Sequence, residues 1–157
     1  QGDVVQMSVR DTNRIPELVK ELKSFDNLKM RVGIVAPGGD KIYMVARVHE
    51  YGIDIAVTDK MRDWFLAQGM PLRKDTTHIR IPERSFLRTG WDKNETSFQR
   101  KAGELFDQVL QGETTAYDAR EELGEFIVDK LRANIEEVQL VKTGELRDAI
   151  GFRVVKR

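Results

Sequence analysis

The chain has 157 residues, of which 40% are hydrophobic and 33% charged, and its 26 basic side chains are matched by 26 acidic ones. That is enough chain for a single domain (1–157) with its own core, and a neutral, apolar-rich balance argues against a disordered polyelectrolyte. The absence of cysteine excludes disulfide staples and Cys-based zinc sites, and no apolar run approaches the ~20 residues of a membrane span, so no membrane partner is expected.

Ile15, Leu18, Val19, Leu22 and Phe25 fall at helical spacing and predict an amphipathic helix over 14–25, capped by Thr12 or Asn13 with Pro16 in its first turn. Leu28, Met30, Val32, Ile34 and Ala36 then alternate with Lys29, Arg31 and Gly33, the pattern of a half-buried strand closed by Pro37-Gly38-Gly39. Helical spacing returns over 42–51 and ends at Gly52, where a C-cap glycine belongs. Ile53, Ile55 and Val57 make a short strand, Asp59 opens a short helix stopped by Gly69 and Pro71, and residues 77–81 read as a strand ended by Pro82. From Ser97 to Leu110 the pattern is helical, and Gln111-Gly112 breaks it. The strongest helix follows a Thr114 or Thr115 cap, with an apolar stripe from Ala119 to Val138 and Gly124 inside it as a close-packing point. Thr143 is placed to cap a last helical turn, and Phe152 and Val154 end the chain as a strand. The order of elements predicts an α+β fold: one modest mixed or antiparallel sheet against two long helices, plus shorter helices.

The zero net charge is segregated along the chain. Residues 73–101 carry 8 basic and 4 acidic side chains, residues 102–137 carry 3 and 10, and residues 138–157 carry 5 and 2. Either long helices wear solvated charge, or a basic face and an acidic face let copies associate head to tail.

Candidate sites of chemistry are few. His49-Glu50 suggests a zinc protease, but that motif needs a second histidine four residues on, and position 53 is Ile. The plainer reading is that His49 and Glu50 hydrogen-bond near a helix end and fix the turn at Gly52. There is no nucleophile elbow, and Ala36-Pro37-Gly38-Gly39-Asp40 lacks the Gly-Lys-Ser/Thr of a phosphate loop. Arg80, Arg84 and Arg88 recur every four residues near Trp91, a pattern compatible with nucleic acid, although a dedicated binder usually carries a basic excess. Phe86 and Leu87, between those arginines, are either core or an anchor for a partner.

Three islands stand out: VHEYG (48–52), IPERSFLR (81–88) and TGELRDAIGFRV (143–154). Their order resembles the tail-completion, or neck, proteins of tailed phages, also known as head–tail joining or virion-morphogenesis proteins, whose islands read His-Glu-Phe-Gly, Ile-Pro-x-Arg-Pro-Phe-Leu-Arg and Thr-Gly-x-Leu-Arg-x-Ser-Ile. His49, Glu50 and Gly52 match, with Tyr51 for Phe. Ile81, Pro82, Arg84, Phe86, Leu87 and Arg88 match, with Ser85 for the second proline. Thr143, Gly144, Leu146, Arg147 and Ile150 match, with Ala149 for Ser. The resemblance implies a non-enzymatic virion part without cofactor or metal, assembled in the host bacterial cytoplasm. It also implies a ring, commonly hexameric and monomeric in isolation, between head connector and tail tube or terminator, with DNA passing through it without sequence-specific binding. Arg84, Phe86, Leu87, Arg88 and Arg147 are then expected at inter-subunit contacts, where the arginines would pair with the acidic helix of the next subunit. His49, Glu50, Gly52, Pro82 and Gly144 are expected to form turns. The Ser85 departure suggests a looser arm, and residues 59–77 suggest an inserted arm or hairpin. The competing readings are a small nucleic-acid-binding or regulatory domain and, behind it, a hydrolase using His49 and Glu50.

Overall fold

The computed structural model describes residues 13–35, 39–138, 140 and 144–156. The readings placed on Thr12, Ala36, Pro37, Gly38 and Thr143 lie outside them. Helix α1 (Ile15–Asn27) leads into strand β1 (Leu28–Ile34). Helix α2 (Gly39–Tyr51) is followed by β2 (Ile53–Ala56), α3 (Asp59–Ala67) and β3 (His78–Ile81). Two long helices, α4 (Leu87–Gln111) and α5 (Ala116–Glu137), precede the one-turn α6 (Glu145–Asp148) and the last strand, β4 (Ile150–Lys156). The fold is α+β. The strands form two separate two-stranded antiparallel sheets, β1–β4 and β2–β3, rather than the single sheet expected.

Helices α4 and α5 run antiparallel, as the ion pairs Lys93–Glu137 and Lys101–Glu122 near opposite ends require. The inner stripe of α5 (Ile127, Val128, Leu131, Ile135) is buried against the β1–β4 sheet and against Phe98 of α4. Each such side chain, once buried, contributes about 1.5–3 kcal/mol. A smaller cluster of Leu105, Val109 and Ala119 is closed by Phe25 of α1. Gly124 faces the sheet: a Cβ there would run into the Phe152 ring, so the glycine is a packing point that lets strand and helix approach.

Two helices receive caps from elsewhere in the chain. The first N–H of α5, on Ala116, donates to Glu21 Oε2 of α1 at 2.7 Å, while Thr115 Oγ1 accepts from Asp118 N. Helix α4 has no side-chain cap of its own. Asn13 Oδ1 accepts from Ile15 N at the start of α1.

The segment 53–81 stands apart from this body. Among the described residues β2 and β3 pair only with each other, α3 lies in their connection, and no residue from 53 to 81 is fully buried. Thr58 caps α3 by accepting from Met61 N. Arg62 ties the helix to the returning loop by donating to the carbonyls of Arg73 and Thr76. Among the described residues no helix is long and apolar enough to cross a membrane.

Candidate functional site

The first two islands meet in one joint, centred on Glu50. This residue lies in the last turn of α2, is 4% exposed, and points its carboxylate at the start of α4. Oε2 accepts from the N–H groups of Phe86 (2.9 Å) and Leu87 (3.0 Å). Oε1 accepts from the Ser85 hydroxyl (2.8 Å), Arg88 N (3.1 Å) and Arg88 Nε (3.2 Å). A helix begins with N–H groups that lack intrahelical partners and with a positive dipole end. Ser, Thr, Asp or Asn just before the helix usually satisfies them; here a glutamate from another helix does so. Burial works to raise the Glu50 pKa, but the N–H donors of Leu87, Arg88 and Phe86 and the Ser85 hydroxyl outweigh it, and the carboxyl is held below its ordinary value.

Arg88 closes the joint from outside. Its Nη2 donates to the Glu50 carbonyl at 2.9 Å and to Glu83, and its guanidinium lies 5.4 Å from the centre of the Tyr51 ring. The hydrogen bond to Glu50, and then the charge of Glu83, stabilise its protonated form against the opposing effect of burial. The chain turns at Gly52 with φ +67°, and a Cβ there would sit 2.9 Å from Glu83 N and 3.0 Å from Ile81 O. The position therefore demands glycine on both conformational and packing grounds. His49 contributes its carbonyl, which accepts from Arg84 N at 2.8 Å. Its imidazole pKa is lowered, first by burial and then by the Arg84 charge, and its Nδ1 is buried without a hydrogen-bond partner. The described residues contain no cluster of three His, Cys, Asp or Glu side chains placed to share a metal ion.

The joint is also pinned to α5. Buried Asn134 donates from Nδ2 to the Phe86 carbonyl (2.8 Å) and to Thr89 Oγ1 (3.0 Å). Phe86 itself is 0% exposed and lies in the main core. Of the two readings open for it, core residue or anchor for a partner, this fold has it in the core. Leu87 is half-buried and packs against the same core. Ser85 is buried and hydrogen-bonded to Glu50, so the segment is tied down where a looser arm was expected.

The third island reaches the same core from another side, through Leu146 and Ile150. Gly144, at φ +80°, leads into α6. Arg147 Nη1 donates to Glu136 Oε1 of α5 and its Nε to Asp148 Oδ1, both at 3.0 Å, and these bonds raise its pKa. The expected pairing of Arg147 with the acidic helix is therefore made inside one chain, and Arg88 is likewise engaged by Glu50 and Glu83 of its own chain. Pro82 and Arg84 are at the surface. No ion pair ties Arg84 to a carboxylate among the described residues.

The position of this joint gives it a task. β2 leaves directly after Gly52 and β3 returns directly before Pro82. Both roots of the 53–81 arm are thus clamped to the start of α4 through Glu50, Arg88 and Glu83. Sequence reasoning missed the cap itself, and also Asn134, whose burial in the last turn of a charged helix is visible only once α4 is in place. No protein-family model, curated protein or solved structure matches this chain.

Proposed function

We propose that this chain is a non-enzymatic structural part of a tailed-phage or prophage virion. It acts in head–tail joining or tail completion as a ring-forming neck component, built in the bacterial cytoplasm. Its partners are further copies of itself, the head connector, and the tail tube or terminator, with DNA passing through the ring. The observation that carries this reading is the Glu50 joint. The residues of the first two islands that resemble the neck family are largely spent on joining an arm to the body: Glu50, Arg88 and Gly52 form the turn and the clamp at its roots. An arm clamped at both roots, with Trp64, Leu66 and Met70 each more than half exposed, suits a protein whose work is to seat a neighbour.

Arg84 is the contact residue to test, because Arg88 and Arg147 are committed within their own chain. Particles made without this protein should accumulate as separate heads and tails by electron microscopy. Wild-type protein should rejoin them, and Arg84→Glu should rejoin them poorly while its urea unfolding midpoint stays unchanged. Joined particles at normal yield in the complete absence of the protein would refute the function. A steep, salt-sensitive gel shift with duplex DNA would instead favour the nucleic-acid-binding alternative.

A further inference from the structure

The β1–β4 sheet has one face on α5, and among the described residues no helix is packed across the other. On that other face Arg31 lies directly opposite Arg153, with Lys29 two residues away on the same side. All three are exposed, and none makes an ion pair among the described residues. Like charges placed opposite each other across two strands destabilise the pairing, so this face is improved by whatever neutralises it. The next pair on this face is Gly33 opposite Gly151, and the Val35 side chain lies over Gly151. Beside the two arginines, Val35, Tyr43 and Val155 line a groove of about 440 Å³.

The acidic counterpart is on the same chain. Along its outward stripe α5 presents Asp118, Glu122, Glu125, Asp129 and Glu136 at helical spacing. The outer three are engaged: Asp118 accepts from Thr115, Glu122 from Lys101 at 2.6 Å, and Glu136 from Arg147 at 3.0 Å. Glu125 and Asp129, in the middle, are exposed and have no ion pair among the described residues. Residues four apart on a helix stand roughly 5–6 Å apart at Cβ. Residues opposite each other on antiparallel strands stand roughly 4.5–5.5 Å apart. Two carboxylates and two guanidiniums on one chain thus have matching number, sign and spacing.

We propose that Arg31 and Arg153 of one copy grip Glu125 and Asp129 of a second copy. Arginine–carboxylate forks are the strong form of ion pair, and Tyr43 and Val155 at the edge of the groove help to exclude water from them. The two patches are different surfaces, so the contact is head-to-tail, and its repetition closes a ring or extends a filament. The contact deepens the ring reading above and rests on it only for closure. A second copy fits the face better than nucleic acid does. The chain carries no net positive charge, and three cations offer a smaller footprint than the roughly 6–10 phosphate contacts of a salt-sensitive DNA binder.

The test uses two charge-reversed forms of the full chain. One carries Arg31→Glu and Arg153→Glu, the other Glu125→Arg and Asp129→Arg. Urea unfolding first checks that each is folded. Sedimentation is then run at sub-millimolar protein and about 10 mM salt, where screening is weakest. Wild type, monomeric when dilute, should self-associate at this concentration and low salt and lose this with added salt. Each reversed form alone should associate on the order of 100-fold more weakly, because like charges now face each other. An equal mixture of the two should associate again, since every contact in an alternating assembly is once more between opposite signs. If a reversed form is unfolded, the milder pair Arg31→Gln with Arg153→Gln and Glu125→Gln with Asp129→Gln replaces it, and each should weaken wild-type association. A wild type that stays monomeric, or a mixture no stronger than its parts, overturns the proposal. So does a duplex DNA that binds wild type and the Glu125/Asp129 form alike but not the Arg31/Arg153 form. Particle joining that depends on Arg84 while the mixture fails to associate would sink this contact and leave the neck reading standing. Restored association with joining unaffected by loss of the protein would do the reverse.

Discussion

At the scale of single residues, Glu50 is the position on which most depends. Its carboxylate serves three backbone N–H groups, one hydroxyl and one guanidinium. Truncation to alanine leaves these donors without their acceptor, and buried donors stripped of a charged partner are costly. Glu50→Ala should lower unfolding free energy by about 3 kcal/mol, measured by urea denaturation, and Glu50→Gln, which keeps one acceptor oxygen, by less. The pH dependence follows from two lowered pKa values. The folded His49 resists protonation, so below its ordinary 6.5 the unfolded chain binds the proton first and stability falls with pH. Folded Glu50 does the same below its ordinary 4.5. In each case the unfolded state holds more protons in the window between the two values, so stability is full above it and is lost as pH descends through it. The urea midpoint should therefore drop in two stages on acidification. His49→Gln should remove the upper stage and Glu50→Gln should shrink the lower one. A His49→Gln profile that keeps its fall below pH 6.5 would show that another group controls that range.

At the scale of elements, two helices begin under caps borrowed from other helices, and this explains where the sequence was readable and where it was not. The stripes of α1 and α5, the alternation of β1, and the glycine ending α2 are local patterns, and each appears in the fold within a few residues of its expected place. Helix α4 was expected from Ser97 yet begins at Leu87, because its first turns contain Gly90 and no side-chain cap of their own. What holds those turns is Glu50, a residue 36 positions before Phe86, and no local window contains it. The same non-local chemistry hid the joint: Ser85 looked like a missing proline until its hydroxyl was seen bonded to Glu50. The expectation of one sheet failed because period-2 alternation marks strands without naming their partners. Glu21 gives the element scale its own prediction. Its carboxylate caps α5 through Ala116 N, so Glu21→Ala should cost about 1 kcal/mol. Since the Glu21 and Glu50 caps serve different helices and share no donor, the double variant should show the sum of the two single effects within about 0.5 kcal/mol. A large excess over the sum in a double-mutant cycle would mean that α4 and α5 lose their starts together.

At the scale of the molecule, the chain divides its labour between a body that carries stability and an arm that does not. The main core draws on α2, α4, α5, α6 and both strands of the β1–β4 sheet, while residues 53–81 contribute no fully buried side chain. A two-stranded ribbon with one short helix is marginal on its own, so it keeps its shape through the clamp at its roots and the internal ties of Arg62. Replacing residues 58–76 by Asn-Gly, the turn suited to a two-residue hairpin, should then join Val57 to Thr77 across the bond they already make and leave the body intact. The urea midpoint of this shortened chain should lie close to that of wild type, because no fully buried residue is removed. Its ability to rejoin separated heads and tails should be lost, because Trp64, Leu66 and Met70 go with the arm. The two readouts decide different things. A large fall in the midpoint would show that the arm packs into the fold after all. An unchanged midpoint with normal joining would show that the arm seats no neighbour, and would leave the open faces of the body as the surfaces through which the protein works.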